Sequence, residues 1–214
     1  MPPPNGRKRA RSLRRSARDR SSSLKANASA DAAAAVAARR RARRLHSGRD
    51  VARALKRMAA QLAPRIADRN PVVLAVMDGG VFTAIELCRH FSFPHEFDYV
   101  DVTRYGRGVT GGTLEWRVRP STTLAGRTVL VVDDILDRGQ TLRSLMTELR
   151  RVGVARAYAA VLVVKRVAGG RRRPRVDAAG LRVEDVYVFG SGMDYRGYWR
   201  ELRGIYALAA DADE

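Results

Sequence analysis

The densest chemistry in the chain lies in residues 129–142, VLVVDDILDRGQTL. An apolar, valine-rich run ends in two adjacent carboxylates, Asp133 and Asp134, and a third, Asp137, follows in the next turn. Arg138 and Gly139 then lead into Gln140 and Thr141, which open a segment with helical character. A helix N-terminus and its preceding loop supply free N–H groups and a positive dipole end, so they cradle a phosphate, and the glycine permits close approach. Carboxylates in front of a phosphate nest describe a site for a phosphorylated sugar. Receiver domains also use paired acids at a strand end. Their pair follows the first strand, whereas this one lies late and is followed at once by the nest.

The elements around this segment indicate how it is held. Val51, Leu55, Met58, Leu62 and Ile66 recur at helical spacing, with Asp50 placed to cap the start and Pro64 placed to kink or shorten the end of a helix over 50–68. Residues 72–77 form an apolar run closed by Asp78-Gly79-Gly80, and residues 81–90 have helical character. Strands are expected at 128–132, 157–164 and 186–189, with a helix from about 140 to 152 between the first two. Continuous apolar strands alternating with helices imply an α/β fold: an open, mainly parallel twisted sheet flanked by helices, with ligands beyond the carboxyl ends of the strands. Residues 92–125 read as an insertion with strand-like 97–103 and 114–118. Its glycine-rich centre, from Arg104, Tyr105 and Gly106 to Gly112, reads as a mobile loop.

The segment 129–142 resembles the signature of the type I phosphoribosyltransferases, which binds the ribose 5-phosphate part of phosphoribosyl pyrophosphate. Residues 70–80 (NPVVLAVMDGG), 103–116, Lys165 and 187–199 (YVFGSGMDYRGYW) extend the likeness to the bacterial hypoxanthine-guanine phosphoribosyltransferases, over about residues 50–208. The resemblance implies a small hood and a flexible loop on the sheet, and purine salvage: hypoxanthine or guanine displaces pyrophosphate from phosphoribosyl pyrophosphate, giving IMP or GMP.

It also implies roles for particular residues. Asp133 and Asp134 would contact the ribose hydroxyls and Mg²⁺, while Asp137 would accept the purine N7 proton. Asp137, Arg138, Gly139, Gln140 and Thr141 would hold the 5-phosphate. Arg138 and Gln140 depart from the Thr and Lys often found in the family, and backbone donors are indifferent to that change. Asp78, Gly79 and Gly80 match the pyrophosphate loop, where a non-proline cis peptide is usual. Asp78 stands where Lys or Asn is common, and its charge would repel pyrophosphate unless it points away or meets Mg²⁺. Asp194 would ligate a second Mg²⁺, paired with Arg200. Lys165 would donate to the purine 6-oxo group, with Tyr187 stacking on the ring and the Val188 carbonyl facing the base. Arg104, Tyr105 and Gly106 would begin a lid that excludes water. Trp116, Tyr198 and Trp199 are read as packing residues. Such enzymes commonly form dimers or tetramers.

Charge separates the chain into two parts. Of the formal net charge of +19, residues 1–49 carry +13 and the remainder +6. Residues 1–49, with three prolines, arginine runs, serines and an alanine run, hold too little bulky apolar surface to offset ordering, so a disordered basic tail is expected, with transient helix through the alanines. A nucleic-acid-binding arm, an organelle transit peptide and an extension without a role all fit that composition. Residues 50–214 are the expected phosphoribosyltransferase domain. An alternative built on the same fold is a nucleic-acid-binding regulator that senses phosphoribosyl pyrophosphate, but it needs neither Asp137 as base nor Lys165. One cysteine, Cys88, excludes an intrachain disulfide, and three scattered histidines argue against structural zinc. No apolar run approaches the roughly 20 residues of a membrane helix. A protein of the reducing cytoplasm is expected.

Overall fold

The computed structural model describes residues 28–105, 113–166 and 173–208, in two units that divide between Arg41 and Ala42. In the first unit residues 28–41 form helix α1, as the alanine run favours. The disorder expected of residues 1–27 lies outside the described residues.

The second unit begins earlier than the expected boundary at residue 49. Strand β1 (Arg43–His46) pairs antiparallel with β9 (Ile205–Ala207), Arg43 opposite Ala207 and Arg44 opposite Tyr206. A backbone ladder does not depend on side-chain polarity, so an arginine-rich stretch can join a sheet whose partner lies far along the chain. Helix α2 (Gly48–Ile66) follows. Its N-cap is Ser47 and Asp50 is the third residue inside: Ser47 Oγ accepts the Asp50 N–H at 3.2 Å, and the Asp50 carboxylate accepts the Ser47 N–H at 2.8 Å. This reciprocal capping box corrects the reading of Asp50 as the cap itself. Pro64 lies in the last turn, and the helix ends two residues later.

A six-stranded sheet runs in the order β4 (Thr113–Val118), β3 (Glu96–Tyr105), β2 (Val72–Val76), β5 (Thr128–Leu136), β6 (Arg156–Arg166), β7 (Ala178–Glu184). Only β4 is antiparallel to its neighbour. Alternate residues of the central strands feed two cores. Val73, Ala75, Leu130, Val132, Ala160 and Leu162 pack with α2 and α3 (Gly80–Cys88) on one face. Val72, Leu74, Val129, Val131 and Val161 pack with Leu142, Leu145 and Leu149 of α4 (Gln140–Arg151) on the other. Burial on both faces explains why these strands are uninterrupted apolar runs.

Two strand readings need correction. The stretch taken as an insertion contributes β3, which pairs in parallel with β2 from Val72 opposite Glu96 to Val76 opposite Val100. The strand expected at 186–189 is not in the parallel sheet: β8 (Val188–Phe189) pairs antiparallel with β9 in the small sheet β1-β9-β8. The parallel place beside β6 belongs to β7, AAGLRVE, an edge strand with Ala179, Arg182 and Glu184 exposed and therefore without the continuous apolar run that marks a central one.

Candidate active site

The acid pair lies inside β5. That strand continues through Asp133 to Leu136, where it still pairs with Val164 of β6. Asp134 is buried beneath the loop that opens α3. A Cβ on Gly79 would stand 1.7 Å from Asp134 Oδ2 and 2.8 Å from the Gly192 carbonyl oxygen, and one on Gly80 would stand 2.6 Å from the Val132 carbonyl oxygen. The glycines expected to admit a ligand are thus already required by the protein's own carboxylate and strand. The Met77–Asp78 peptide is cis, as the family resemblance leads one to expect.

The charge on the pair is poorly compensated. Burial and the neighbouring Asp134 carboxylate push Asp133 well above the usual carboxylate range, although it accepts the Asp134 N–H at 2.9 Å. Burial also raises Asp134, against the opposing pull of Arg200. A cation arriving beside the pair would replace the solvation that burial removed.

Asp137 and Arg138 are exposed, and Gly139, in a left-handed conformation, serves as N-cap of α4, with no side chain capping the helix. Pro174 packs against this turn: a Cβ on Gly139 would lie 2.6 Å from Pro174 Cδ. Gln140 and Thr141 begin the helix. The register pairs Leu136 with Val164; Asp137 is the first residue past β5, and Lys165 is the next residue of β6. Lys165, with 15% of its side chain exposed, places Nζ 3.7 Å from Asp185 Oδ1, and its carbonyl accepts a hydrogen bond from Arg173.

Tyr187 stands 48% exposed, its ring edge-on to Tyr195 at 5.9 Å and its hydroxyl donating to the Asp194 carbonyl at 2.9 Å. Burial of its hydroxyl, then the Asp194 charge, raises its pKa above the usual tyrosine value. Val188 is buried in β8. From there residues 190–204 fold back over the site. Gly192 has φ +104°, and a Cβ there would meet the Gly79 carbonyl oxygen at 2.5 Å, so this position demands glycine on both counts. The same loop delivers Asp194 and Arg200. Arg200 Nη2 lies 2.8 Å from Asp194 Oδ1 and 3.3 Å from Asp78 Oδ2, while Nη1 donates to the Gly192 carbonyl at 2.8 Å. Asp194 Oδ2 also accepts the Gly197 N–H at 2.6 Å.

The structure therefore links Asp134, Gly79, Gly192, Arg200, Asp194 and Asp78 in one contact chain. Lys165 lies near the end of β6, one residue past the Val164–Leu136 pair, and Tyr187 joins through Asp194. Arg104 and Tyr105 end β3 opposite Leu114 and Thr113. Gly106 and the rest of the expected lid to Gly112 lie outside the described residues. Trp116 is partly buried against the α4-side core, with the Arg119 guanidinium 5.0 Å from its ring.

Sequence reasoning missed Asp185, Arg173, Pro174 and Gly192. Arg173 is one of three consecutive arginines, so no local pattern marks it. Gly192 did carry a signal, as one of two glycines flanking Ser191 within the segment that carried the resemblance. No group of three or more His, Cys, Asp or Glu converges on a metal position among the described residues. Two carboxylates are nevertheless a suitable donor set for Mg²⁺, which takes hard oxygen ligands and keeps most of its coordination for water and substrate phosphates.

Comparison with known proteins agrees with this geometry. The phosphoribosyl transferase domain matches residues 41–196. A hypoxanthine-guanine-xanthine phosphoribosyltransferase of Tritrichomonas foetus is 31% identical over 164 residues, covering 77% of this chain and 90% of the relative. The hypoxanthine-guanine phosphoribosyltransferase of Bacillus subtilis (strain 168) is 30% identical over 165 residues, covering 77% and 91%. Among solved structures, a hypoxanthine-guanine-xanthine phosphoribosyltransferase is similar with a TM-score of 0.70 at 30% identity, covering 78% of this chain and 96% of that one.

Proposed function

Because the chain belongs to the phosphoribosyl transferase domain family, we propose that it works in purine salvage, transferring the 5-phosphoribosyl group from phosphoribosyl pyrophosphate to hypoxanthine or guanine and releasing IMP or GMP and pyrophosphate. The observation that carries this reading is the adjacent carboxylates on β5, Asp134 buried and Asp133 partly buried, followed by a glycine-opened helix N-terminus and flanked by Lys165 on the adjacent parallel strand.

Each residue role follows from what the reaction demands. Positive charge develops on the ribose as pyrophosphate departs, and carboxylates held close to the ring stabilise it. Asp133 and Asp134 occupy that place. Asp137, exposed at the head of the turn, accepts the N7 proton as the purine becomes nucleophilic. Backbone N–H groups from Asp137 to Thr141 hold the 5-phosphate, which is why Arg138 and Gln140 can stand there. Lys165 donates to the 6-oxo group, positioned through its ion pair with Asp185 and its carbonyl contact with Arg173. Tyr187 offers a half-exposed ring for stacking and Val188 its backbone carbonyl. Gly79, Gly80 and Arg200 receive the pyrophosphate.

Mg²⁺ fits the carboxylate pair: Asp133 and Asp134 would hold one ion, and Asp194, which also binds Arg200, would take part in holding a second. When bound it neutralises phosphate charge. The loop that begins at Arg104, Tyr105 and Gly106 closes over the substrates. The assembly carried by this reading is a homo-oligomer, for which exposed Phe82 and Ile85 on α3 are available apolar surface. Its location is cytoplasmic, in keeping with the finding that no described helix is long and apolar enough to cross a membrane.

The test is a spectrophotometric assay of the full chain with phosphoribosyl pyrophosphate, Mg²⁺ and, separately, hypoxanthine, guanine, xanthine and adenine. Turnover of hypoxanthine or guanine and rejection of adenine is expected. Absence of turnover with every 6-oxopurine, despite calorimetric binding of phosphoribosyl pyrophosphate, overturns the enzyme assignment.

A further inference from the structure

Arg200 is held by two carboxylates of unequal security. Asp194 binds Nη2 at 2.8 Å, is 31% exposed, and is itself fixed by the Gly197 N–H. Asp78 reaches the same Nη2 at 3.3 Å from the loop that opens α3, with 64% of its side chain exposed. The Arg200 side chain is 23% exposed and its guanidinium is oriented by the bond to the Gly192 carbonyl, so it stays in place when the Asp78 arm lets go. An anion arriving at Arg200 has to displace Asp78 and can leave Asp194 where it is.

We propose that Asp78 is an internal competitor for Arg200, a specificity-determining residue that weakens the hold of this site on the pyrophosphate group of substrate and product alike. The inference rests on the reaction proposed above. An acid at this position adds a like charge to a site that must receive a highly anionic leaving group, and it does so without touching the purine or the 5-phosphate turn. Its effect is confined to ligands that carry the pyrophosphate. Because the Asp78 arm is exposed and screened, the competition is mild: an exposed ion pair corresponds to about a two- to fivefold change in affinity. It lowers substrate affinity, and it lowers affinity for released pyrophosphate by the same factor, so product leaves more readily. The contact also accounts for an acid in a pyrophosphate loop: Arg200 compensates the Asp78 charge in the free protein.

The test compares the full chain with its Asp78→Asn variant, and with Asp78→Lys as a second variant that removes the competitor and adds an attractive charge. Glu86→Gln, which removes the same charge from an exposed ion pair on α3, serves as control. The quantities read are KM for phosphoribosyl pyrophosphate, KM for the purine, inhibition by pyrophosphate, and calorimetric binding of Mg²⁺-pyrophosphate. Asp78→Asn is expected to lower the substrate KM and the pyrophosphate inhibition constant together, by about two- to fivefold, with the purine KM unmoved and the difference shrinking in high salt. Asp78→Lys moves both further in the same direction, and Glu86→Gln moves neither.

Unchanged or weaker pyrophosphate binding in both Asp78 variants overturns the inference, as does an equal change in the purine KM, which marks a general structural effect. If the wild-type chain turns over no purine, the proposed reaction fails. The calorimetric comparison with Mg²⁺-pyrophosphate then still decides the role of Asp78 by itself.

Discussion

Asp98 on β3 and Asp133 on β5 are both carboxylates drawn into the parallel sheet, and their surroundings treat the charge in opposite ways. Asp98, 5% exposed, accepts the Tyr99 N–H at 2.8 Å, the Thr122 N–H at 2.7 Å and the Ser121 hydroxyl at 3.1 Å. Burial pushes its carboxyl up, but these donors outweigh it and hold the pKa below the usual value. At Asp133 burial is reinforced by Asp134, and the pKa rises. The first site is complete and fastens the chain leading from β4 to β5. The second has a like charge beside it in place of a set of donors. Asp98 lies near the start of its strand and Asp133 near the end of its own, where open α/β sheets bind ligands.

The contrast is sharpened first at Asp137, the exposed acid of the same segment. Asp137→Asn is expected to lower kcat by about 10²- to 10⁴-fold, the range for a general base, with little change in substrate KM or Tm in steady-state and melting measurements. Asp133→Asn is expected to lower kcat/KM by about 10²-fold or more, yet to raise the Tm of the ligand-free protein near neutral pH. The sign follows from linkage. A carboxyl whose folded pKa is raised binds more protons folded than unfolded above the unfolded value near 4, so stability falls as pH climbs through the raised pKa. The variant removes that loss, and a thermal melt across pH shows a flatter profile.

Asp98→Asn reverses the pattern. It is expected to cost about 1–3 kcal/mol in denaturant unfolding, because donors lose a charged acceptor, while activity per folded molecule holds. The depressed pKa of Asp98 contributes stability above the unfolded value near 4 that is lost as pH falls through the folded value, so the variant's deficit shrinks in acid. A loss of activity equal to that of Asp133→Asn would break the distinction. The smallest expected effect is at a half-buried counterpart of Asp98, the α2 capping box, whose Asp50 carboxyl is held at about 2 by the Ser47 side chain and backbone N–H. Ser47→Ala should cost about 1 kcal/mol. Deletion of residues 1–49, which also removes β1, should lower Tm more than deletion of 1–41.

The acid segment was legible because its parts are contiguous: an apolar run, two acids, a turn and a helix start are neighbours in the chain, and local rules place them. The central strands were legible for a similar reason, since burial on both faces removes polar residues from the run. β7 was missed because an edge strand keeps polar positions, and β8 was read as a strand but given to the wrong sheet because a short apolar run does not specify its pairing partner. β1 was lost in an arginine-rich stretch because backbone pairing leaves no compositional trace.

What the sequence by itself determined was the α/β class, the Asp133-to-Thr141 segment and Lys165 at a strand end, all consequences of period and turn chemistry within about a dozen residues. Only the tertiary structure decided that Gly79 must be bare to admit the Asp134 carboxylate, that Gly192 closes over Gly79, and that Arg200 bridges Asp78 and Asp194. Apart from the Arg200–Asp194 pair, those contacts join residues more than fifty positions apart. Their distances depend on how the 190–204 loop folds back over the strand ends, which the local periodicity of either segment does not encode.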